Sequence, residues 1–240
     1  MRHPSPYRPA RTLLALAVLP LALAACSSGT SDHPSAAPTK AAKDPDAGLL
    51  TGARLKKALA PASFFASGFA VDPDGARDSG AAYTAPSASA AAKPDCSLLG
   101  GTSWIAVTGV SGVSFAQNDY VSKATSEDIA QEIDTFRGAT AAEVLKDLEK
   151  TATACTAFTD TQTHSQVKVT GAATPGLGGT AYTLTLTDSA WQNGTTLLAV
   201  RSGTDVVSVL STDGHDNGAA TARKLAARIV TSLRAEHQRA

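Results

Sequence analysis

Thr180-Ala181-Tyr182-Thr183-Leu184-Thr185-Leu186-Thr187 alternates large apolar side chains with threonine. Successive side chains of an extended chain point to opposite faces, so Tyr182, Leu184 and Leu186 share one face and the threonines the other. The stretch reads as a strand. Asn193-Gly194 is the strongest short-range hairpin signal, of type I′, and leads into a second strand over 196–201. Ser202-Gly203 turns the chain again into a third over 205–210. Three neighbouring strands with short turns predict an antiparallel meander.

Helical patterns flank this block. Ala141, Leu145, Leu148, Ala152 and Cys155 stand at i, i+4, i+7, i+11 and i+14, a continuous stripe, with Glu143, Lys146, Asp147, Glu149 and Lys150 opposite. Near the C-terminus, Ala222, Leu225, Ala226, Ile229, Val230 and Leu233 form a second amphipathic helix, with Asp213 or Asp216 available to cap it. Strands in one block with helices at its ends predict an α+β fold, an antiparallel β-sheet with the helices packed on one face.

Upstream, Leu49, Leu50, Leu55 and Leu59 predict a short helix ended by Pro61. Asp72-Pro73-Asp74-Gly75 has the composition of a tight turn. The Ala- and Ser-rich stretch 79–94 predicts a loop, and 96–99 a short helix stopped by Gly100-Gly101. Residues 113–121 read as a strand with Val113, Phe115 and Val121 on one face. For 126–136 the pattern leaves two readings open. Ile129, Ile133 and Phe136 fit a helix, while Ile129, Gln131, Ile133 and Thr135 fit one face of a strand.

The first 25 residues are built like a secretory signal: Arg2, Arg8 and Arg11 precede an apolar run from Leu13 to Ala24 that is too short to span a bilayer. The junction Leu23-Ala24-Ala25-Cys26 resembles the bacterial lipobox. That resemblance implies cleavage before Cys26, a lipid on its sulfur, and a protein held on the outer face of the cell membrane by that anchor. Residues 26–46 then form a tether, being Ser, Thr, Pro, Ala, Asp and Lys without apolar periodicity. Twenty such residues reach about 25 Å. Residues 47–240 suit one folded domain.

With Cys26 lipidated, Cys96 and Cys155 remain, in a compartment where disulfides persist. They predict one intrachain bridge, since no C-x-x-C and no tetrahedral ligand set favours a redox or metal pair. Loss of the signal removes three arginines and leaves 18 basic against 21 acidic residues. That balance, without a basic run interleaved with aromatics, argues against nucleic acid as a partner.

Motifs that would carry chemistry fail on context. Ser165-Gln166-Val167-Lys168 matches S-x-x-K, but strand-forming neighbours send Ser165 and Lys168 to opposite sides. Gly176-Leu177-Gly178-Gly179 precedes a strand, whereas a phosphate cradle precedes a helix. Asp72, Asp74 and Asp78 miss calcium-loop spacing. Beyond the signal, the histidines His33, His164, His215 and His237 are scattered, with none beside a nucleophile. Arg223, Lys224, Arg228 and Arg234 read as a solvated helix face. No catalytic residue, metal site or cofactor is predicted, and the chain is not read as an enzyme.

Leu49-Leu50-Thr51, Ser67-Gly68-Phe69-Ala70-Val71, Asp95-Cys96-Ser97-Leu98-Leu99, Thr153-Ala154-Cys155-Thr156-Ala157-Phe158 and Gly176-Leu177-Gly178-Gly179 occur in an order that resembles a family. It is that of actinobacterial lipoproteins whose exported part is similar to the extracellular sensor domain of PknH-type receptor Ser/Thr kinases. The resemblance implies a sheet flanked by helices around a cleft, a strand at 126–136, and a family disulfide at Cys96 and Cys155. The second cysteine pair of the kinase sensors is missing. Two functions follow. One is a non-catalytic ligand-binding or sensing module outside the cell. The other is an envelope module that docks a protein or the wall polymer without a small ligand. A pocket lined by Trp or Tyr with convergent polar groups favours the first, a flat apolar patch the second. Trp104, Tyr182 and Trp191 are the candidate ligand contacts, though core packing competes for each.

Overall fold

A computed structural model describes residues 44–86 and 93–240. The signal, Cys26 and nearly all of the tether lie outside the described residues. The chain runs α1 (Gly52–Ala58), β1 (Phe69–Asp78), β2 (Ser114–Ser122), β3 (Glu127–Thr135), α2 (Thr140–Ala154), β4 (Ala157–Thr159), β5 (Gln166–Ala173), β6 (Ala181–Thr187), β7 (Thr195–Ser202), β8 (Asp205–Ser211) and α3 (Ala219–Gln238). Short 3-10 turns occupy Ala62–Phe64, Cys96–Gly100 and Trp104–Thr108. No helix among the described residues is long and apolar enough to cross a membrane.

All eight strands join one antiparallel sheet in the order β1-β2-β3-β8-β7-β6-β5-β4. The α+β class and the β6-β7-β8 meander are as expected, and residues 126–136 contain a strand. Its pairing is continuous, from Ser114 opposite Thr135 to Ser122 opposite Glu127. Its two partners decide what the local pattern left open: β2, across a short hairpin, on one side and β8, distant in sequence, on the other.

The helices divide between the two faces, which corrects the expectation that they pack on one. On the first face α1 and α3 cover Ile129, Ile133, Val207, Val209, Leu198 and Val200. On the second, α2 and the turn at Trp104 cover Ala130, Val206, Leu210, Leu197, Ala199, Leu184 and Val167. A strand roofed on both sides loses its polar alternation. Leu197-Leu198-Ala199-Val200 in β7 and Asp205-Val206-Val207 in β8 are buried without a break. That run was the sequence signal for a two-sided core.

Two turn expectations also change. Asp72-Pro73-Asp74-Gly75 is not a turn between elements but a bulge within β1. Asp72 faces Asp119 and Arg77 faces Gln117, so residues 73–76 swell out opposite Asn118. Proline is tolerated because β1 is an edge strand and its bulge needs no ladder donor there. Asn193-Gly194 does not form a two-residue hairpin either. Neither residue has the positive φ a type I′ turn requires. The pair closes a seven-residue loop, 188–194, whose carboxylate at Asp188 accepts the amide of Ala190 at 2.7 Å. The loop sets Trp191, half-buried, against the core of the second face.

Val113, Phe115 and Val121 also sit differently from expectation. Val113 is buried just before β2, but Phe115 and Val121 are half-buried and flank Gln117 and Asp119, which are the buried members of that face. On the first face of β2, Ala116 and Tyr120 are the buried apolar pair.

Cys96 and Cys155 are bonded, with α-carbons 5.6 Å apart. The bridge ties the 3-10 turn Cys96–Gly100 to the C-terminal end of α2, where Cys155 is fully buried. At the start of α3, Asp216 accepts the Ala220 amide at 2.8 Å and Asp213 accepts the Thr221 hydroxyl. The exposed arginines of α3 brace the glycine-rich β5–β6 connection: Arg223 donates to the Pro175 carbonyl and Arg234 to that of Gly178.

Candidate functional site

The second face of the sheet is not fully roofed. Where β3 and β7 begin and β6 and β8 end, a cleft of about 470 Å³ opens. Its floor is made of strand residues Leu186, Thr195 and Leu210 with Asp128. Leu186 pairs with Thr195 across β6 and β7. Thr212 continues the floor beyond β8 and holds the backbone of Asp128, whose amide donates to the Thr212 hydroxyl at 2.8 Å.

Four chain segments build the walls, and each is fixed by bonds that its own sequence supplies. Leu99 and Gly100 stand on the disulfide-tethered 3-10 turn. The β4–β5 turn contributes Asp160, Gln162 and Thr163, with Asp160 accepting the amides of Gln162 and Thr163 at 2.7 Å each. The β6–β7 loop contributes Trp191, Gln192 and Asn193. Ser165 donates to Asp188, which joins the base of the turn to the base of the loop. The β2–β3 hairpin supplies Thr125, Ser126 and Glu127, where the Thr125 hydroxyl donates to Glu127 at 2.6 Å and the Gly214 amide to its other oxygen at 3.1 Å.

Three carboxylates therefore face this cleft in unlike states. Glu127 is held below the usual range by the Thr125 hydroxyl and the Gly214 amide. Asp160 is held low by the Thr163 amide. Asp128 goes the other way, pushed up to about 6 by burial and then by the nearby charges of Asp119 and Asp72. Its Oδ1 is shut off from water and has no hydrogen-bond partner among the described residues. Among the described residues, no lysine, arginine or histidine lines the cleft.

The chain matches no family model and no curated protein.

Of the three aromatic residues singled out in the sequence, only Trp191 lines the cleft. Trp104 is wholly enclosed in the second core and can touch no ligand. Tyr182 packs half-buried on the same face but at the opposite end of β6, four residues from Leu186. The acids Glu127, Asp128 and Asp160 were missed in the sequence. Nothing in the local pattern announces that three separate turns converge at one end of a sheet.

A second polar cluster continues from Asp128 along the same face. Asp128, Ala130, Glu132 and Asp134 alternate on β3, and Gln117 and Asp119 stand opposite Glu132 and Ala130 on β2. Gln117 spends its whole amide here. Its nitrogen donates to Asp119 and to Thr102 at 3.0 Å, and its oxygen accepts from Arg77 and Ser103. Burial raises Asp119, Glu132 and, furthest, Asp134. Glu132 Oε2 and Asp134 Oδ2 both lack a donor if each carboxyl is ionised. One proton shared between them satisfies both, as expected of adjacent buried acids. Gly75, in the β1 bulge, lies against this layer, and a β-carbon there would collide with Asp119 Oδ2.

Residue types of a hydrolytic triad also meet, in the wrong order for nucleophilic catalysis. Buried Asp205 takes the Thr135 hydroxyl at 2.5 Å and the His237 Nε2 at 2.6 Å. The hydroxyl is thus bonded to the acid, not to the base, and Thr135 is fully enclosed. His237 is raised by its bond to Asp205. The trio latches the last turn of α3 to the sheet. Ser165 and Lys168 do not cooperate: the serine bonds Asp188, while Lys168 points outward from β5. No group of three or more His, Cys, Asp or Glu side chains among the described residues is placed to hold a metal.

Proposed function

We propose that this chain is a lipoprotein, anchored through Cys26 on the outer face of the cell membrane, that acts as a non-catalytic ligand-binding or sensing module. The observation that carries the reading is the cleft at the end of the sheet. It has the volume of a small-molecule site, one aromatic wall in Trp191, and several polar groups converging on it. The resemblance of the chain to sensor domains of PknH-type kinases points the same way, since such a domain recognises something outside the cell and leaves the response to another part.

Non-catalytic is the better reading because the cleft acids are already committed. Both oxygens of Glu127 and one of Asp160 are occupied by donors from their own loops. Only Asp128 is left, and among the described residues no histidine, lysine or cysteine lines the cleft to complete an acid–base or nucleophilic pair with it.

Two measurements test this. Replacing Cys26 with Ser should shed the protein from the membrane or leave it uncleaved; a variant still cut and retained speaks against lipid anchoring. Native mass spectrometry of the chain purified from its own envelope should show a bound small molecule, absent from Trp191→Ala. A mass identical to the bare chain in both proteins speaks against a ligand-binding role.

A further inference from the structure

We infer that the outer face of α1 and α3 lies on the anionic headgroup surface of the membrane that holds the anchor. The inference rests on the lipid-anchoring part of the reading above and adds which face of the domain meets the lipid.

Charge is sorted by layer in this fold. Seven of the 18 basic residues left after the signal stand on α1 and α3, against one acid, the buried Glu236. Arg54 and Lys56 have carboxylate partners. Lys57, Arg223, Lys224, Arg228 and Arg234 are exposed and in no ion pair among the described residues. Arg223 and Arg234 bond neutral carbonyls, which leaves their charge uncompensated. The exposed Asp216 just before α3 is bound to the amide of Ala220. On the other face of the sheet α2 exposes both signs together, Glu143 and Glu149 with Lys146 and Lys150. A chain with more acids than bases thus presents two helices without an exposed acid.

An apolar corner adjoins these cations. The Lys224 ammonium stands 5.4 Å from the centroid of the Phe64 ring, Phe64 lies 5.3 Å from Phe65, and Phe65 6.4 Å from Phe69. All three rings are half-buried, and Val71, on the same side of β1 as Phe69, is exposed. Apolar side chains rimmed by cations match the boundary between acyl chains and phosphates.

The cations from Arg223 to Arg234 span about 16 Å of α3, wider than one small anion and suited to an extended surface. Such a surface is at hand. Cys26 precedes Asp44, the first described residue, by 18 positions, so the anchor keeps the domain within reach of its tether. Tethering makes a weak charged contact intramolecular and raises its occupancy without a new bond. Each cation brought to an anionic membrane strengthens the contact about fivefold.

The test compares the mature lipoprotein, reconstituted through its anchor, on phosphatidylcholine vesicles and on vesicles about one third phosphatidylglycerol. Reductive methylation with formaldehyde, an uncharged reagent, reads the exposure of each lysine by mass spectrometry. On the anionic vesicles Lys57 and Lys224 should react at least about fivefold more slowly, while Lys146 and Lys150 keep the same rate on both. The protection should vanish at about 1 M salt, where charges are screened beyond about 3 Å. Lys224→Glu with Arg228→Glu should abolish the protection of Lys57 while the chain still floats with the vesicles. Lys224→Gln with Arg228→Gln is the milder pair, and a thermal melt checks each fold. Equal rates at Lys57 and Lys224 on both vesicles overturn the inference, as does protection that falls on Lys146 and Lys150 instead. Protection by soluble polyphosphate but not by the anionic vesicles also overturns it, and turns the face toward a wall polyanion. Flotation keeps the two readings apart. A chain that floats with anionic vesicles alone keeps the docking face and contradicts the lipid, whereas one that floats with neither contradicts both.

Discussion

Asp128 and Thr212 clasp the ends of two neighbouring strands: the Asp128 amide donates to the Thr212 hydroxyl at 2.8 Å, and the Thr212 amide donates to the Asp128 carbonyl at 3.0 Å. The backbone of Asp128 is thereby fixed while its carboxylate is left over for the cleft. Rigid strand ends hold the floor, and loops that brace one another hold the walls. Such a site is formed before a ligand arrives, so little ordering entropy is lost on binding.

The disulfide links stability to this site. Leu99, a wall residue, stands three positions from Cys96 on the turn that the bridge ties to α2. Cys96→Ser with Cys155→Ser should lower unfolding free energy by about 4 kcal/mol in the loop-closure model. Urea denaturation of the oxidised protein and the double variant measures it. Thiol labelling of the unfolded, unreduced domain (residues 47–240) should find no free cysteine, and two reactive thiols per chain would contradict the bridge.

Gly75 is required by the side chain it covers. Its ideal β-carbon would stand within 2.6 Å of three atoms of Asp119, a side chain held by Gln117 and unable to swing away cheaply. Gly75→Ala should destabilise by about 1–3 kcal/mol through overpacking. Adding Asp119→Ala should restore part of that loss. A double-mutant cycle in urea reads the coupling, and strict additivity would show that the two residues do not press on each other.

The buried acid pair gives stability a pH dependence whose sign is fixed. Asp134 and Glu132 both ionise less readily in the folded chain than in the unfolded one, because burial disfavours their charges. A carboxyl raised on folding adds stability at low pH, and that contribution is lost as pH rises through the folded value. Asp134→Asn can still donate to Glu132 without needing a proton from solvent. Its melting temperature should therefore equal or exceed that of the wild type above pH 7, and lose ground to it on acidification. The opposite ordering across pH 4–8 would show that the pair is ionised in the native protein.

Much of the fold is legible in the chain, and what is not has a physical cause. The α2 stripe from Ala141 to Cys155 and the alternation in β6 depend on local periodicity and were visible. Placing helices on both faces required reading Leu197-Leu198-Ala199-Val200 as strand roofed twice, which no local pattern separates from a buried helix. Asp72-Pro73-Asp74-Gly75 looks like a turn because bulges and turns draw on the same residues. Of the cleft, only Trp191 was visible as a candidate. Asp128, Glu132 and Asp134 alternate opposite Ile129, Gln131 and Ile133, a polarity that reads as solvent-facing. Glu132 is instead covered by the turn at Ser103, some thirty residues upstream, and Asp128 faces the cleft, both long-range facts.

The indole resonances of Trp104 and Trp191 test the cleft most directly, because the chain has only these two tryptophans. In a ¹H–¹⁵N spectrum of the folded domain titrated with small-molecule extract of its own envelope, the Trp191 indole signal should move in a saturable way. The Trp104 signal, enclosed in the core, should stay in place. Shifts confined to the face of α3, or a Trp191 signal unmoved at saturating extract, would contradict a ligand site at this end of the sheet.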